Sequence, residues 1–438
     1  MAISDLTLNQ AIPGSLTSHQ HSPDVTDHNH QRSMTRKALT GLSNKIGVAD
    51  LIDDTQEPSS FIPIRSIGKS QTLADFIRVF EEFEEMHVRL HAKLNALPVN
   101  MEGLSRILDS EMAAYDPVVI DVSDRLGEIT AEATSEQKQA YMQYIRRSRY
   151  FKIVQEAPFY WRIMNKPNGY PGDAHMMHFI YRNQYEGPTP FGMFLHKHAC
   201  TTKACVAVRN RRQFLSRHIQ KTGGGKIMSL AAGPAEEIKD VLSQNEGRKN
   251  YQFLALDHDM DTLQQFKNGK HQSQFKYALA NAFQIIAGNY VTAKPRSIFH
   301  KYCSPAHDFK GFWHLLMSYV KYELQRLEKE SFDLVYTAGL YDYIKNFPLD
   351  NDKGTVALTK NLFRLVKPGG SLIIGNFNHN NPRHLRFAMD YIFDWQLIYR
   401  DKEEMLAFAK SIPKDEIANI KILEEEASIN YFLKIDKA

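Results

Sequence analysis

A glycine turn and an acidic residue that end two successive apolar runs form the clearest chemical pattern of the sequence. The run KIMSLAA leads into Gly233, and the run YQFLALDHD places Asp257 24 positions later. Glycine lets a ligand approach the backbone, and an acid about 20 residues further on can bind the hydroxyls of a nucleoside ribose. The pair therefore predicts a nucleoside cofactor site. The alternative is an ordinary helix-start turn at Gly233 and a solvated strand end at Asp257.

The residues after the glycine separate the possible nucleoside cofactors. A dinucleotide pyrophosphate needs G-x-G-x-x-G, whereas Gly233 is followed by Pro234, Ala235, Glu236 and Glu237. Two carboxylates at a helix start repel a pyrophosphate but tolerate a cation. This pattern favours S-adenosylmethionine, which carries a sulfonium and an amino group, over NAD. Alternatively, the glutamates only stabilise the helix dipole.

A third strand end supplies candidates for binding the adenine. Asn281, Ala282 and Phe283 follow the apolar run FKYAL. We expect Asn281 to hydrogen-bond the purine edge and Phe283 to stack on it. A core phenylalanine beside an asparagine turn is the alternative interpretation.

The run FDLVYTAGLYDY contributes candidates for binding the sulfonium and the molecule that would react with it. Tyr336 is expected beside the sulfonium, because aromatic rings attract cations. If the ligand in this site carries a carboxylate, Tyr341, Tyr343 and Asn376 are the candidates to donate hydrogen bonds to it. Asp342 would repel a carboxylate, so it is expected to orient a neighbour or to bind the cofactor amine. Packing within the fold is the alternative role of the tyrosines.

These residues need a sheet whose strands all end at one edge. From residue 226 onward apolar runs alternate with helical stretches, which predicts a parallel α/β sheet that binds ligands at the carboxyl ends of its strands. Upstream, apolar spacing predicts a helix over 72–97 and a second over 101–115, stopped by Asp116-Pro117. The fold class is therefore α/β, a Rossmann-like sheet with an N-terminal helical domain.

The chain divides into three predicted parts. The first 60 of the 438 residues contain none of the 48 aromatic residues, so residues 1–70 are predicted to be a disordered tail. Residues 71–222 form the helical domain, which includes the turn-rich GYPGD segment. Residues 223–438 form the cofactor-binding domain.

Composition excludes several classes of function. A net charge of +4 argues against a nucleic-acid partner, and three cysteines without a disulfide framework favour the cytoplasm. No apolar run approaches the ~18 residues of a membrane span, and no metal site is expected. Four arginines on one helix are predicted to face solvent, with an anion site as the alternative: Arg209, Arg211, Arg212 and Arg217.

Five stretches together resemble the class I S-adenosylmethionine-dependent methyltransferases: IMSLAAGPAEEI, LALDHD, ANAF, FDLVYTAGLYDYI and LVKPGGSLIIGNF. Ala231 and Ala235 depart from the family pattern, where many members have an acid and a second glycine. Over roughly residues 140–438, NKPNGYPGD, GLYDYI, KPGGSLIIGNF and AMDYIFDWQLIYRDKEEM look like bacterial methyltransferases of extracellular-factor (3-hydroxypalmitic acid methyl ester) biosynthesis.

The resemblance implies an enzyme that methylates the carboxylate of a hydroxy fatty acid, a small-molecule acceptor, to give a methyl ester of the kind used in quorum sensing. It also implies that Tyr170 and Asp173 of GYPGD belong to a lid over the cofactor; otherwise this segment is a plain turn. Two other functions stay open. One is methylation of a protein or another amine or hydroxyl acceptor, with Asp342 or His300 as base. The other is a non-catalytic regulator that binds S-adenosylmethionine.

Overall fold

The apolar runs of the second half of the chain form the strands of one mixed sheet. The computed structural model describes residues 71–245, 250–259, 262, 274–295 and 322–438. All of these belong to one unit, which comprises residues 62–309 and 316–438. The predicted tail, 1–70, lies outside the described residues, as does His300.

A helix follows each of β1, β3 and β6, and the sheet ends in an antiparallel hairpin of β8 and β9. Their bounds are β1 (Gly225–Leu230), β2 (Tyr251–Asp257), β3 (Phe275–Leu279), β4 (Val291–Pro295), β5 (Tyr322–Arg326), β6 (Phe332–Thr337), β7 (Val366–Phe377), β8 (Ile417–Glu424) and β9 (Asn430–Lys437). Their order in the sheet is β5-β4-β3-β2-β1-β6-β7-β9-β8.

Strand direction places the candidate site. β3, β2, β1, β6 and β7 pair in parallel, whereas β4, β5, β8 and β9 join through antiparallel pairings at the two sides. The chain adds β2 and β3 on one side of β1 and then crosses to add β6 and β7 on the other. The order therefore reverses between β1 and β6, and ligands of open α/β sheets bind at such a reversal, beyond the carboxyl ends of the strands.

Helices precede the sheet and connect its strands. Those before the sheet are α1 (Gln71–Asn95), α2 (Leu104–Thr130), α3 (Ser135–Arg147), α4 (Arg149–Ile153), α5 (Pro158–Asn165), α6 (Ala174–Arg182), α7 (Pro190–Thr201) and α8 (Lys203–Lys221). Those after β1 are α9 (Glu236–Gln244), α10 (Ala282–Ile286), α11 (Gly354–Phe363), α12 (Arg383–Phe387) and α13 (Lys402–Leu406). Within the described residues, no helix is both long enough and apolar enough to cross a bilayer.

Buried side chains cover both faces of the sheet. Ile227 and Phe253 pack with α8 and α9 on one face, whereas Met228 and Leu256 pack with α10 and α11 on the other. The helices before the sheet form another cluster, to which Phe387 and neighbouring residues after β7 contribute. The predicted fold class, a Rossmann-like α/β sheet preceded by helices, is confirmed.

Some local predictions are wrong. The second helix does not stop at Asp116-Pro117 but continues through Pro117 to Thr130. Its buried stripe runs without a break from Leu104 to Leu126, so packing outweighs the one backbone hydrogen bond that proline removes. The edge strand β8 and its neighbour β9 were not predicted. No residue of β8 is fully buried, which leaves it little apolar alternation to recognise.

Candidate cofactor and acceptor site

The turn after β1 has an unusual backbone. Ala231, Gly233 and Ala235 all have left-handed φ angles, of 54°, 53° and 47°. Such values are sparsely populated by alanine and cost free energy unless the surroundings hold them. A Cβ added to Gly233 would meet no protein atom within 4 Å, so this side of the turn is open. The turn therefore presents backbone to a space at the carboxyl end of β1.

Asp257 lies directly against this turn. The Gly233 N–H donates to its Oδ2 at 2.8 Å, and the Asp259 N–H donates to its Oδ1 at 3.0 Å. The His258 ring nitrogen Nδ1 lies 3.2 Å from Oδ1, and the pKa of His258 is raised by this hydrogen bond. The structure thus brings together the two residues whose spacing defined the sequence pattern.

The loop after β3 joins the same edge. The Ala280 N–H donates to the carbonyl of Asp257 at 2.9 Å, which holds the loop against the end of β2. Asn281 caps α10 by accepting the Phe283 N–H at 2.9 Å, with Ala282 at the first helical position. The Phe283 ring is 37% exposed, so part of it is free to contact a planar ligand. The ends of β1, β2 and β3 therefore lie side by side.

The GYPGD segment reaches the same edge from the helical part. The Tyr170 ring centroid lies 5.1 Å from that of His258. Burial raises the pKa of Tyr170, and the charges of Asp257 and Asp259 raise it further. Tyr170 therefore packs beside the acid that ends β2.

Asp173 of the same segment faces inward. Its Oδ1 accepts the Met176 N–H at 2.9 Å and the Arg162 Nε–H at 2.8 Å, and its Oδ2 also pairs with Arg162. The carboxylate is fully buried and satisfied within the segment. The structure therefore places Asp173 as the cap of α6 and as an anchor of GYPGD, whereas Tyr170 lies beside His258 at the end of β2.

Gly172 connects GYPGD to the other half of the site. A Cβ at Gly172 would lie 3.0 Å from the Trp395 ring and 3.1 Å from the Tyr343 hydroxyl. The segment therefore packs on Tyr343 through the one residue type small enough for this approach. It spans from the end of β2 to the loop after β6.

Tyr336, at the end of β6, is completely buried. Its hydroxyl donates to Oε1 of Glu237 at 2.7 Å, and its ring belongs to the core between the sheet and α9. Burial raises the pKa of the Glu237 carboxyl, an effect that this hydrogen bond opposes. The structure places Tyr336 beneath the open surface of the site, where its ring is covered by protein.

Tyr341 and Asn376 also lie in the interior. The Tyr341 hydroxyl is 2.9 Å from the Thr359 hydroxyl, and its ring packs in the core beside α11. Asn376 donates through Nδ2 to the carbonyl of Ile398 at 2.9 Å. Both polar groups that were predicted to bind an acceptor thus have protein partners.

A buried arginine organises these residues. Arg400 donates through Nη1 to the Tyr341 carbonyl at 2.7 Å and to Oδ1 of Asn376 at 2.6 Å, and through Nη2 to the Ile344 carbonyl at 2.5 Å. It is 1% exposed. We call Tyr341, Asp342, Asn376 and Arg400 the Arg400 network. Nothing in the sequence pattern marked Arg400.

Asp342 is the acidic member of the network. Its Oδ1 accepts the Phe377 N–H at 2.7 Å, and the side chain is almost completely buried. Burial raises the pKa of this carboxyl to about 7, although the Phe377 hydrogen bond and the positive charges of Arg211 and Arg400 oppose the rise. Asp342 therefore exchanges a proton near neutral pH.

Tyr343 differs from its neighbours because it is 44% exposed. Its hydroxyl oxygen accepts the Trp395 Nε1–H at 2.7 Å. The described residues contain no acceptor for the hydroxyl proton of Tyr343, which is available to an external ligand. Of the four predicted catalytic residues, the structure places this one at an open surface and the other three in the Arg400 network.

Neither a protein-family model nor a curated protein matches the chain. Solved structures with a partial likeness include a possible exported protein from Bordetella parapertussis (12% identity, 77% of this chain and 99% of that one, TM-score 0.43). Another is a putative S-adenosylmethionine-dependent methyltransferase from Methanococcus maripaludis (12% identity, 53% of this chain and 87% of that one, TM-score 0.32). A third is the Burkholderia thailandensis 1,6-didemethyltoxoflavin-N1-methyltransferase with bound 1,6-didemethyltoxoflavin and S-adenosylhomocysteine (11% identity, 53% of this chain and 78% of that one, TM-score 0.29). At these scores the likenesses are too remote to transfer a function.

Proposed function

We propose that the chain is an S-adenosylmethionine-dependent methyltransferase with a small-molecule acceptor. The observation that carries the proposal is the hydrogen bond from the Gly233 N–H to the carboxylate of Asp257, 2.8 Å long, at the carboxyl ends of β1 and β2. These two strands adjoin the point where the sheet order reverses, which is where open α/β sheets bind nucleoside ligands.

The residues at this edge fit the proposed cofactor better than a dinucleotide. Gly233 opens onto free space, but the second and third glycines of a pyrophosphate loop are absent, and α9 begins with Glu236 and Glu237. In our proposal Asp257 binds the ribose hydroxyls, while Pro234 and Ala235 shape the turn. The residues from Asn281 to Phe283 contact the adenine. S-adenosylmethionine, when bound, supplies a methyl group activated by its sulfonium.

The acceptor that we propose is the carboxylate of a hydroxy fatty acid. A carboxylate is ionised at pH 7, so its methylation needs orientation and exclusion of water rather than a general base. Tyr343 supports this acceptor because its hydroxyl, which accepts the Trp395 Nε1–H, has no acceptor for its own proton among the described residues. In the proposal GYPGD and the helical region 71–222 form the lid, since Tyr170 and Gly172 contact both halves of the site.

The test is incubation of the purified protein with S-adenosylmethionine carrying a labelled methyl group and with 3-hydroxyhexadecanoate. The proposal predicts label in a base-labile ester that extracts into organic solvent. The matched control replaces the acid with its methyl ester, which lacks a free carboxylate and should accept no label. Binding of S-adenosylmethionine without any turnover would instead indicate a regulator.

A second acceptor class is favoured by one observation, the pKa of about 7 at Asp342. A carboxyl that titrates near neutrality can accept the proton of a hydroxyl or amine acceptor. The pH profile separates the two classes. An acceptor that needs Asp342 as base gives kcat/KM that rises through pH 7, whereas a carboxylate acceptor, ionised well below pH 6, gives no such rise.

A further inference from the structure

We propose that Arg211 of α8 binds a carboxylate group of a ligand in this site. The inference rests on the proposed function, because the ligand is either the cofactor, through its amino-acid carboxylate, or the acceptor. The sequence predicted that Arg211 faces solvent with the other arginines of its helix. That prediction is wrong for Arg211, which is 8% exposed.

The hydrogen bonds of Arg211 are weak for a buried guanidinium. Its Nη1 lies 3.3 Å from the carbonyl oxygen of Ala338, and its Nη2 lies 4.0 Å from the sulfur of Met177. Across the described part of the chain, no carboxylate lies within 4.0 Å of it. A guanidinium has five N–H donors arranged to bind an oxyanion in a bidentate manner.

The other arginines of α8 are satisfied, which makes Arg211 the exception. Arg212 forms two hydrogen bonds with Asp240, of 2.7 and 2.6 Å. Arg217 pairs with Glu426 at the surface, and Arg209 donates to the carbonyls of Ile180 and Cys200. Because a buried charge without a close partner is costly, the position of Arg211 is explained best by an anion that binds there.

Gly339, in the loop after β6, lies close to both Arg211 and Asp342. A Cβ at Gly339 would lie 3.0 Å from Nη1 of Arg211 and 3.5 Å from Oδ2 of Asp342. Because residue 339 has no side chain, no Cβ crowds the Arg211 guanidinium on the side that faces Asp342. This region follows directly on Thr337, the last residue of β6 and thus the carboxyl end of the strand that adjoins β1.

The charges around Arg211 suit a ligand with both an amino group and a carboxylate. Burial raises the pKa of both the Asp342 and the Glu237 carboxyl, and the positive charge of Arg211 opposes this rise in each. A carboxylate would bind the guanidinium, and an ammonium group would face the two acids. The amino-acid part of S-adenosylmethionine carries both groups, whereas a fatty acid supplies only the first. The binding experiment distinguishes these two sources of the carboxylate.

Isothermal titration calorimetry on the full chain provides the test. Three probes are used: S-adenosylhomocysteine, 5′-methylthioadenosine, which keeps the nucleoside and sulfur but lacks the amino-acid carboxylate, and 3-hydroxyhexadecanoate added to protein saturated with S-adenosylhomocysteine. Each is titrated into the wild type, Arg211→Met and Arg211→Lys. Arg217→Met is the matched control, because it removes an arginine from the exposed side of the same helix.

If the cofactor supplies the carboxylate, Arg211→Met weakens the affinity for S-adenosylhomocysteine about tenfold or more and leaves the affinity for 5′-methylthioadenosine within about twofold, because only the first probe loses a charge-assisted hydrogen bond. If the acceptor supplies the carboxylate, only the affinity for 3-hydroxyhexadecanoate is weakened. In both cases the affinity of Arg211→Lys is intermediate, because lysine keeps the positive charge but cannot bind a carboxylate through two parallel N–H groups. Unchanged affinity of Arg211→Met for all three probes overturns the inference, whereas failure of the wild type to bind S-adenosylhomocysteine overturns the proposed function itself.

Gly339→Ala provides an independent variant if Arg211→Met does not fold, as judged by circular dichroism. It keeps Arg211, but the new methyl group forces Nη1 away from a contact of 3.0 Å. We expect Gly339→Ala to lower the affinity for the same probe as Arg211→Met does. If the cofactor is the source of the carboxylate, the affinity for 5′-methylthioadenosine should not change. Wild-type affinity of Gly339→Ala for every probe contradicts a carboxylate at this position.

Discussion

The two halves of the carboxyl edge of the sheet are built differently. On the side of β1, β2 and β3, the candidate site consists of backbone turns and one carboxylate, Asp257, which bonds the N–H groups of Gly233 and Asp259. On the side of β6 and β7, it consists of the Arg400 network, whose members are buried, with Tyr343 as the exposed exception. The first half is open to a ligand, and the second supports its surface from below.

This difference teaches how each half responds to substitution. A residue that contacts only a ligand can be replaced with little change in the folded state. A buried polar residue that bonds several backbone carbonyls cannot, because its partners lose their hydrogen bonds. The variants below separate the two halves by measuring stability and binding independently.

The largest loss of stability is expected in the Arg400 network. Arg400→Met removes the donors of the Tyr341, Ile344 and Asn376 oxygens, all of which are buried. We expect the free energy of unfolding to fall by about 3 kcal/mol or more, measured by urea denaturation. Arg217→Met, at an exposed pair, should change it by less than about 0.5 kcal/mol. Equal effects of the two variants would show that the network does not support the fold.

Asp342 gives this half a pH dependence of stability. Its pKa is raised from 3.8 to about 7 in the folded state, so between these values the folded protein holds a proton that the unfolded chain releases. Stability from this group is full below about pH 4 and is lost as pH rises through 7, at about 1.4 kcal/mol per pH unit. Asp342→Asn should remove this slope in denaturation curves at pH 5, 6 and 7. Asp352→Asn, which changes an exposed carboxylate, should keep the same dependence of stability on pH. A dependence that persists in Asp342→Asn would refute the raised pKa of Asp342.

Tyr336 tests whether a predicted cofactor residue belongs to the core. Tyr336→Phe leaves Oε1 of buried Glu237 without its donor, and we expect a loss of about 2 kcal/mol in stability with the affinity for S-adenosylhomocysteine unchanged. Tyr290→Phe is the matched control, because its buried hydroxyl bonds the uncharged oxygens of Asn361 and should cost about 1 kcal/mol. A strong loss of cofactor affinity in Tyr336→Phe would show that the hydroxyl, through its bond to Glu237, contributes to cofactor binding and not only to the core.

The smallest effect is expected at Tyr343, where it falls on activity alone. Tyr343→Phe removes a hydroxyl whose proton has no acceptor among the described residues, so kcat/KM for a carboxylate acceptor should fall about tenfold, the value of one hydrogen bond to a charged group. Stability and affinity for S-adenosylhomocysteine should stay at wild-type values. Tyr341→Phe should show the opposite pattern, because its hydroxyl bonds Thr359 in the core. Identical behaviour of the two variants would remove the distinction between exposed and buried tyrosines.

The sequence predicts the half of the site that depends on local features. Gly233 and Asp257 are recognisable because a strand, a turn and a strand-end acid follow one another along the chain, and the sheet then brings them into contact. The fold class follows from the same alternation of strands and helices. A position near a strand end does not by itself place a side chain in the site. Tyr336 and Tyr341 hold such positions, yet both side chains lie in the core.

The other half depends on contacts between distant segments. Arg400 bonds residues 24 to 59 positions away, and Arg211 reaches Ala338 across 127 positions. A single sequence gives no sign of such contacts, and four arginines on one helix resemble a solvated face. The same cause explains Pro117, where packing of a long buried stripe carries the helix past a residue that usually ends one.

The most direct test of the account is the affinity of the wild type and Asp257→Ala for S-adenosylhomocysteine, measured by calorimetry. The account predicts that the wild type binds and that Asp257→Ala, which loses its hydrogen bonds to the ribose and to the Gly233 turn, binds about 100-fold more weakly. Asp352→Ala, which removes an exposed carboxylate, should bind like the wild type. No binding by the wild type at millimolar ligand, or equal affinity of Asp257→Ala, would contradict it.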